Sequence, residues 1–470
     1  MRIERVIIFL IPLVVCGWTE PMNISQTPRK SNCAAIAVGR DGSVHVVWVD
    51  FQTWPDEQPA DILYRCCCGD SWCEVVNVSH DSTESWDPRI AVDTFNHPHV
   101  IWVDRSHWGP TYKLYYSYFD GDTWTTPIPI SDSLQGGFSI VNYGDIAIDS
   151  KNRIHLVWQD VISGEHQIYY AVRDSNSWSS AVEIHHNPAG NVYPRITVDR
   201  ADNLHLVWLH YRIPYDDRTV EVYYSKYENG TWSTPVNVSR IPEQSDYPNI
   251  AVGSDNNPHV TWEERQGYPR VFYSYYDNGW STPVALDSLL TPGEEGYVPD
   301  LIVDYYGNVH VAWSGIGPQL WYTCYDGSEW SPVIDISDQE PGNAIFVDFA
   351  IDSTGCLHVV WTDGGGQYIF DIFYRKHCLS GIEELNLYVP RNIVVYSDII
   401  KFEYVLPVAS CVQFIVSNLL GQVIKSYDLG YKPVGKHSIN ISTEHLAPGV
   451  YFYSIVTTQN TLNGKLIIVK

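Results

Sequence analysis

At 470 residues the chain exceeds what one hydrophobic core supports, roughly 250–300 residues, so it holds several domains or one array of repeated units. Aromatic residues make up 14% of it, with 18 Trp and 33 Tyr against 2 Met, which excludes intrinsic disorder and favours strands over long helices. The 29 Lys and Arg against 55 Asp and Glu leave a net charge of −26, which cannot neutralise a row of phosphates and excludes a nucleic-acid partner.

The chain opens with Arg2, Glu4 and Arg5, followed by an apolar run from Val6 to Cys16. That run is too short for a bilayer span of about 20 residues. A basic start ahead of a short apolar stretch predicts a secretory signal peptide over residues 1–17. Leu13-Val14-Val15-Cys16 faintly resembles a lipoprotein cleavage box, without its usual small residue before the Cys. No later segment is long and apolar enough for a membrane helix. The expectation is an exported protein, secreted or on the outer-membrane surface, with no transmembrane helix in its mature chain.

One phrase then recurs seven times: Ile36 to Val49, Ile90 to Val103, Ile146 to Gln159, Ile196 to Leu209, Ile250 to Glu263, Leu301 to Ser314 and Phe349 to Thr362. Each copy carries a His (45, 99, 155, 205, 259, 310, 358) with a Trp three residues later, at steps of 48 to 56 residues. Each unit reads as four strands. A is the Ile-Ala-Val-Asp run, B the His-Val-x-Trp run, and C an aromatic run such as Val222-Tyr223-Tyr224-Ser225. D is led by Trp and usually carries Pro, as in Trp232-Ser-Thr-Pro235. Asp-Gly and Asn-Gly turns join C to D, as at Asp120-Gly121 and Asn229-Gly230. Four strands at this spacing predict a propeller blade. The last unit lacks a D strand, and an orphan one, Trp18 to Ser25, stands before the first. The fold class is therefore all-β: a seven-bladed β-propeller over residues 18–378, closed by an N-terminal strand, then a linker (379–384) and a small β-sandwich (385–470). The repeated Asp and His, present in nearly every unit, are expected to hydrogen-bond within and between blades.

Ten Cys include a cluster at Cys66, Cys67, Cys68 and Cys73. Three readings stand: a Cys66–Cys73 bridge across a short hairpin, a soft-metal site that lacks CxxC spacing, and filler where other repeats put Tyr, Phe or Asp.

Two families are resembled. Asp120-Gly-Asp-Thr-Trp124, Glu228-Asn-Gly-Thr-Trp232 and Asp326-Gly-Ser-Glu-Trp330 are similar to the Asp-box turn of bacterial sialidase-type propellers, one residue shorter. That box is a structural turn, so the resemblance implies fold rather than activity. Leu420-Gly-Gln-Val423, Gly435, Leu446-Ala-Pro-Gly-Val-Tyr451 and Lys465 to Lys470 resemble the C-terminal sorting domain of type IX secretion. This implies that residues 385–470 are an immunoglobulin-like address read by outer-membrane secretion machinery; the bland alternative is a module that tethers or spaces.

A ligand site in a ring must break its symmetry, which directs the search to positions that vary. Just before strand A the units read Ala35, Arg89, Asp145, Arg195, Asn249, Asp300 and Asp348. Two residues past the strand-B Trp they read Asp50, Asp104, Asp160, His210, Glu264, Gly315 and Asp363. Both sets are expected to rim one mouth of the channel, with Trp54, Trp108, Tyr211, Tyr215 and Tyr268 from the B-to-C loops. The predicted ligand-binding residues are Arg89, Asp145, Arg195, Asn249, Asp300, Asp348, Trp54, Trp108, His210 and Glu264. Aromatic faces, acids and arginines suit an extracellular glycan or protein ligand better than catalysis. No cofactor is implied, although clustered Asp are ligand types for Ca²⁺. A sialidase-type glycosidase is the enzymatic alternative, for which Arg89 and Arg195 would supply two of three arginines. The bland reading is a scaffold in which Asp50 and its equivalents cap turns.

Overall fold

The computed structural model describes residues 18–468 apart from 28–29, 52–59, 70, 81–83, 106–111, 132–139, 163, 176, 214–219, 242–243, 290–294, 338–341, 365–369, 379–391, 396–398, 407–409, 420–421, 433–434, 443–445 and 458–460. The expected signal peptide and linker, and Trp54, Trp108 and Tyr215, lie outside the described residues. Two compact units result, Thr19–Lys376 and one built on His377–Lys470. Both are made of strands, and no described helix is long and apolar enough to cross a membrane.

In the first unit the repeated phrase folds as an antiparallel meander. One example runs from an inner strand Asn191–Val198 through Leu204–Tyr211 and Val220–Glu228 to a short outer strand Val236–Asn237. Sheets of the same order start from Gly144–Ile148, Gln244–Val252 and Tyr297–Val303. The groups starting at Lys30–Val38 and Glu84–Val92 share one nine-stranded sheet, joined by a parallel pairing of Ala60 with Glu84. In the group starting at Ile345–Ile351 the outer strand is Met22–Asn23, from the beginning of the chain, with Met22 opposite Tyr374 and Asn23 opposite Phe373. Ser25 Oγ donates to Asp371 Oδ1 at 2.9 Å beside that pairing. Each inner strand packs against that of the following group, and Ile345–Ile351 packs against Lys30–Val38.

Side chains alternate faces along a strand, so a His and a Trp three residues apart point in opposite directions. Both faces are covered. Trp208, with Leu204 and Leu206, packs against Val157, Ile168 and Tyr170 of the preceding sheet. Val207, Leu209 and Tyr224 pack against Ile250, Val260 and Trp262 of the following one. Trp48, Trp102, Trp158, Trp208, Trp262, Trp313 and Trp361 are all essentially inaccessible.

The buried His needs partners, since an unmet polar group there costs about 1–3 kcal/mol. His45, His99, His155, His205, His259, His310 and His358 each meet a third-strand Tyr hydroxyl through Nδ1 at 2.7–2.8 Å. On the other nitrogen, His155, His205 and His358 face Asp149, Asp199 and Asp352 at 3.1–3.3 Å. The same Asp closes the A-to-B turn: Asp199 Oδ1 accepts from Ala201 N and Asn203 N, both at 2.8 Å. Turn residues also link one sheet to the next, as where Asn152 accepts from Thr94 N and Asp202 from Ser150 N, each at 2.9 Å. The shortened Asp-box turn is likewise structural: Asp120 Oδ1 takes the Asp122 and Thr123 amides at 3.0 and 2.9 Å.

Cys356 and Cys378 are disulfide-bonded. In the cluster, the Cys66 thiol donates to the Cys73 sulfur at 2.8 Å, which lowers Cys73; Cys66, Cys67, Cys68 and Cys73 form no disulfide. Among the described residues no group of His, Cys, Asp and Glu gathers as a metal site.

The second unit has two sheets. One runs in the order Asn392–Val395, Thr461–Ile468, Gly449–Val456, Ser410–Ser417, Val423–Lys432, and the other pairs Ile399–Leu406 with Gly435–Ser442. Val412, Phe414, Val416, Tyr453 and Ile455 of the first sheet share a core with Ile441 of the second.

Candidate functional site

The inner strands begin irregularly. Cys33, Asp87, Tyr193, Tyr247, Val298 and Phe346 have φ between 45° and 54°, although none is glycine. At each the register with the second strand slips, between Asn32 and Ala35, Trp86 and Arg89, Val192 and Arg195, Asp246 and Asn249, Tyr297 and Asp300, and Ile345 and Asp348. A bulge inserts an unpaired residue and re-aims the side chains around it. Pro88, Pro194, Pro248 and Pro299 suit this position because they have no N–H to leave unpaired. Left-handed backbone at a non-glycine residue costs about 1–3 kcal/mol and concentrates where surrounding structure imposes it, often at functional sites.

The starts of the inner strands, six of them bulged, deliver two layers of side chains into one space. The outer layer, Cys33, Asp87, Tyr143, Tyr193, Tyr247, Val298 and Phe346, lines a cavity of about 170 Å³ together with Arg89, Arg195, Asn249 and Asp348. Those last four residues also line a deeper cavity of about 270 Å³, which adds Asp145 and Asp300. Arg89, Asp145, Arg195, Asn249, Asp300 and Asp348 are therefore brought together, contributed by successive inner strands.

Much of the acid layer holds the sheets to one another. Asp348 Oδ2 accepts from Ile36 N at 2.8 Å, Asp145 Oδ2 from Ile196 N at 2.8 Å, and Asp300 Oδ2 from Phe349 N at 2.7 Å, each bond crossing to the next sheet. Asn249 uses Oδ1 for the Ile250 amide at 2.8 Å and donates its Nδ2 to Asp300. Burial lifts Asp87, Asp300 and Asp348 above the usual carboxylate range, and at Asp300 the neighbouring Asp348 adds to the effect. Burial opposes the charge of both arginines. At Arg89 the nearby Asp145 and Asp348 outweigh it, whereas Arg195, beside Arg89, ends below its ordinary value. Guanidinium stays charged through such shifts. The cavity thus presents two cations among acids whose negative charge is tied down or suppressed.

Above the arginines lies an arc of phenols. Tyr143 and Tyr193 stack with centroids 3.8 Å apart, and Tyr247 meets Tyr193 edge-on at 5.8 Å. Burial raises all three, Tyr247 to about 12, with Asp246 adding to it. All three are hydrogen-bonding hydroxyls at neutral pH. These phenols come from the starts of the inner strands and not from the B-to-C loops, where aromatic residues were expected. The signal of this layer was the recurring Asp87-Pro-Arg, Tyr193-Pro-Arg, Tyr247-Pro-Asn and Val298-Pro-Asp, a short phrase two residues ahead of the positions chosen.

Glu264 and His210 do not join the cavity. Their position shares a strand face with the Trp two residues earlier, so both are turned between sheets. Glu264 Oε2 accepts from Trp262 Nε1 and Ser245 Oγ, both at 2.9 Å. His210 lies on Tyr223 at 4.1 Å with Nδ1 against Asn191 Oδ1 at 2.9 Å, and burial pushes it down to about 4. Asp50, Asp104, Asp160 and Asp363 are buried in the same way. The expectation that both residue sets rim one mouth is thereby corrected.

Comparison with known proteins separates the two units. Residues 396–469 match the family described as the secretion system C-terminal sorting domain, a type IX tail that implies export to the cell surface or beyond it. No curated protein matches the chain. Among solved structures, the chain is similar to a polysaccharide lyase of family PL25, an ulvan lyase bound to a glucuronate–sulfated rhamnose unit, at 12% identity and TM-score 0.50, covering 78% of this chain and 97% of that one. It is similar to a fungal alcohol oxidase of family AA5 in complex with copper, at 10% identity and TM-score 0.51, covering 96% and 99%. The NanB sialidase of Streptococcus pneumoniae matches at 12% identity and TM-score 0.45, covering 76% and 69%, a likeness too slight to argue from. At such identities the shared feature is an all-β, propeller-like fold, and a lyase and an oxidase on one fold show how little it says of chemistry.

Proposed function

We propose that the first unit is a seven-bladed propeller, closed by its N-terminal strand, that binds an acidic extracellular glycan in the axial cavity, and that a signal peptide over residues 1–17 and the sorting tail deliver it outside the cell. The cyclic packing of inner strands and the Met22–Asn23 pairing with Phe370–Cys378 support the ring. The observation that carries the binding reading is the break in symmetry at the bulges. Arg89 and Arg195 stand beneath the arc of Tyr143, Tyr193 and Tyr247, where a regular ring would repeat one residue. Phenol rings suit the C–H faces of a pyranose, and paired guanidiniums suit a carboxylate or sulfate.

Binding is favoured over hydrolysis because Asp145, Asp300 and Asp348 are committed to backbone amides of the next sheet. An array of acidic and neutral glycans tests the reading. Acidic glycans should be retained by the wild type and weakened, by about 10- to 100-fold in affinity, in Arg89→Ala and Arg195→Ala, since a charge-assisted pair is worth roughly 1.5–3 kcal/mol per bond. Equal retention by wild type and both variants would overturn it. Deleting residues 385–470 should leave the first unit folded and hold it in the periplasm, read by fractionation; surface display of the truncated chain would refute the delivery role.

A further inference from the structure

We infer that the ligand is a chain of sugar units, and that a second pocket across the Tyr143–Tyr193 pair takes the unit next to the one in the axial cavity. This rests on the glycan reading above. The pocket, about 140 Å³, has Tyr143 and Tyr193 as one wall and Glu165, His166, Gly190 and Tyr211 around the rest. Tyr143 and Tyr193 therefore border both spaces. Stacked at 3.8 Å, the two rings form one aromatic divider shared by the two spaces. A ligand crossing it keeps apolar contact on both flanks, as linked pyranoses do on aromatic platforms.

The polar groups beyond the divider are fixed rather than loose. Gln159 Nε2 and His166 Nδ1 lie 2.8 Å apart, and Gln159 Oε1 accepts from the Tyr193 amide at 3.3 Å, so one side chain ties the pocket to the bulge that forms its wall. The other units hold Val49, Val103, Leu209, Glu263, Ser314 and Thr362 at this position, and Glu263 Oε2 likewise accepts from the bulged Val298 amide at 3.3 Å. Burial pushes His166 down, which leaves a neutral imidazole for sugar hydroxyls. Gly190, at φ 113°, keeps the floor open: a Cβ there would sit 3.5 Å from the Tyr211 ring and 3.7 Å from His166 Cβ. Glu165, exposed at the rim, completes a set of acceptors and donors of the kind that read hydroxyl groups.

Calorimetry with galacturonate and its oligomers from dimer to hexamer, the simplest ladder of carboxylated pyranoses, tests this. Affinity should rise about tenfold from monomer to trimer, a gain of the size expected for one added aromatic contact. Tyr211→Ala and His166→Ala should each erase that rise and leave monomer binding unchanged, while Tyr211→Phe keeps it. His166→Ala, a truncation at a half-buried rim position, serves if Tyr211→Ala does not fold. Equal affinity for monomer and hexamer, with Arg89→Ala still weakening both, would overturn the second pocket and spare the axial reading. No binding of any saccharide by the wild type would overturn both.

Discussion

The middle of each sheet and its inner end follow opposite rules. In the middle, every repeat spends the same residues the same way: a buried Trp, and a His whose Nδ1 meets a Tyr hydroxyl at 2.7–2.8 Å. At the inner end the backbone is as repetitive, with a bulge in strand after strand, but the side chains differ: Cys33, Asp87, Tyr193, Tyr247, Val298, Phe346. The chemistry is uniform where sheets touch sheets and varied, on a repeating backbone, where the inner strands converge.

The contrast breaks most easily at the tryptophans. Trp208→Ala should cost about 3–5 kcal/mol in denaturant unfolding, whereas Tyr247→Ala, at the cavity, should cost well under half of that. Equal losses would mean that the cavity layer is core like any other. Next comes pH, where the two regions carry opposite signs. His45 and His259 are held at about 4 by burial, against about 6.5 in an unfolded chain, so the folded state prefers them neutral. Their contribution is complete above pH 6.5 and lost as pH falls toward 4. The urea midpoint should therefore drop between pH 7 and 4.5, and drop less in His259→Gln. Asp300 and Asp348 are raised instead, so what they contribute is present at low pH and lost as pH rises through their folded-state values. The smallest effect follows from this: Asp300→Asn keeps an acceptor for Phe349 N and gives up the one for Asn249 Nδ2, so relative to wild type it should fare better at pH 8 than at pH 4, read by urea unfolding.

The repeat was legible because its His and Trp recur in fixed register, and period 2 then dictates two buried faces. The inner-end residues Arg89 to Asp348 were legible for a related reason: the position just before strand A is where regularity in the sequence stops. Glu264 and His210 lie off the cavity because the residue two after a buried Trp shares its strand face and its burial, wherever the strand ends. Tyr193 and Tyr247 are hard to find in sequence because a bulge is a backbone event: nothing in the residue Tyr announces a left-handed φ, and only the recurrence of Pro after it hints at an unpaired amide, while Tyr143, ahead of Gly144, carries neither sign.

The Ser25 to Asp371 bond joins residues 346 apart in sequence. Such a contact cannot form during synthesis until almost the whole first unit has left the ribosome, and contacts of that range are the slowest to be made. Until then the last sheet lacks its outer strand and the array has two raw ends. The maturation of this unit therefore waits on Met22, Asn23 and Ser25, residues made first and paired last.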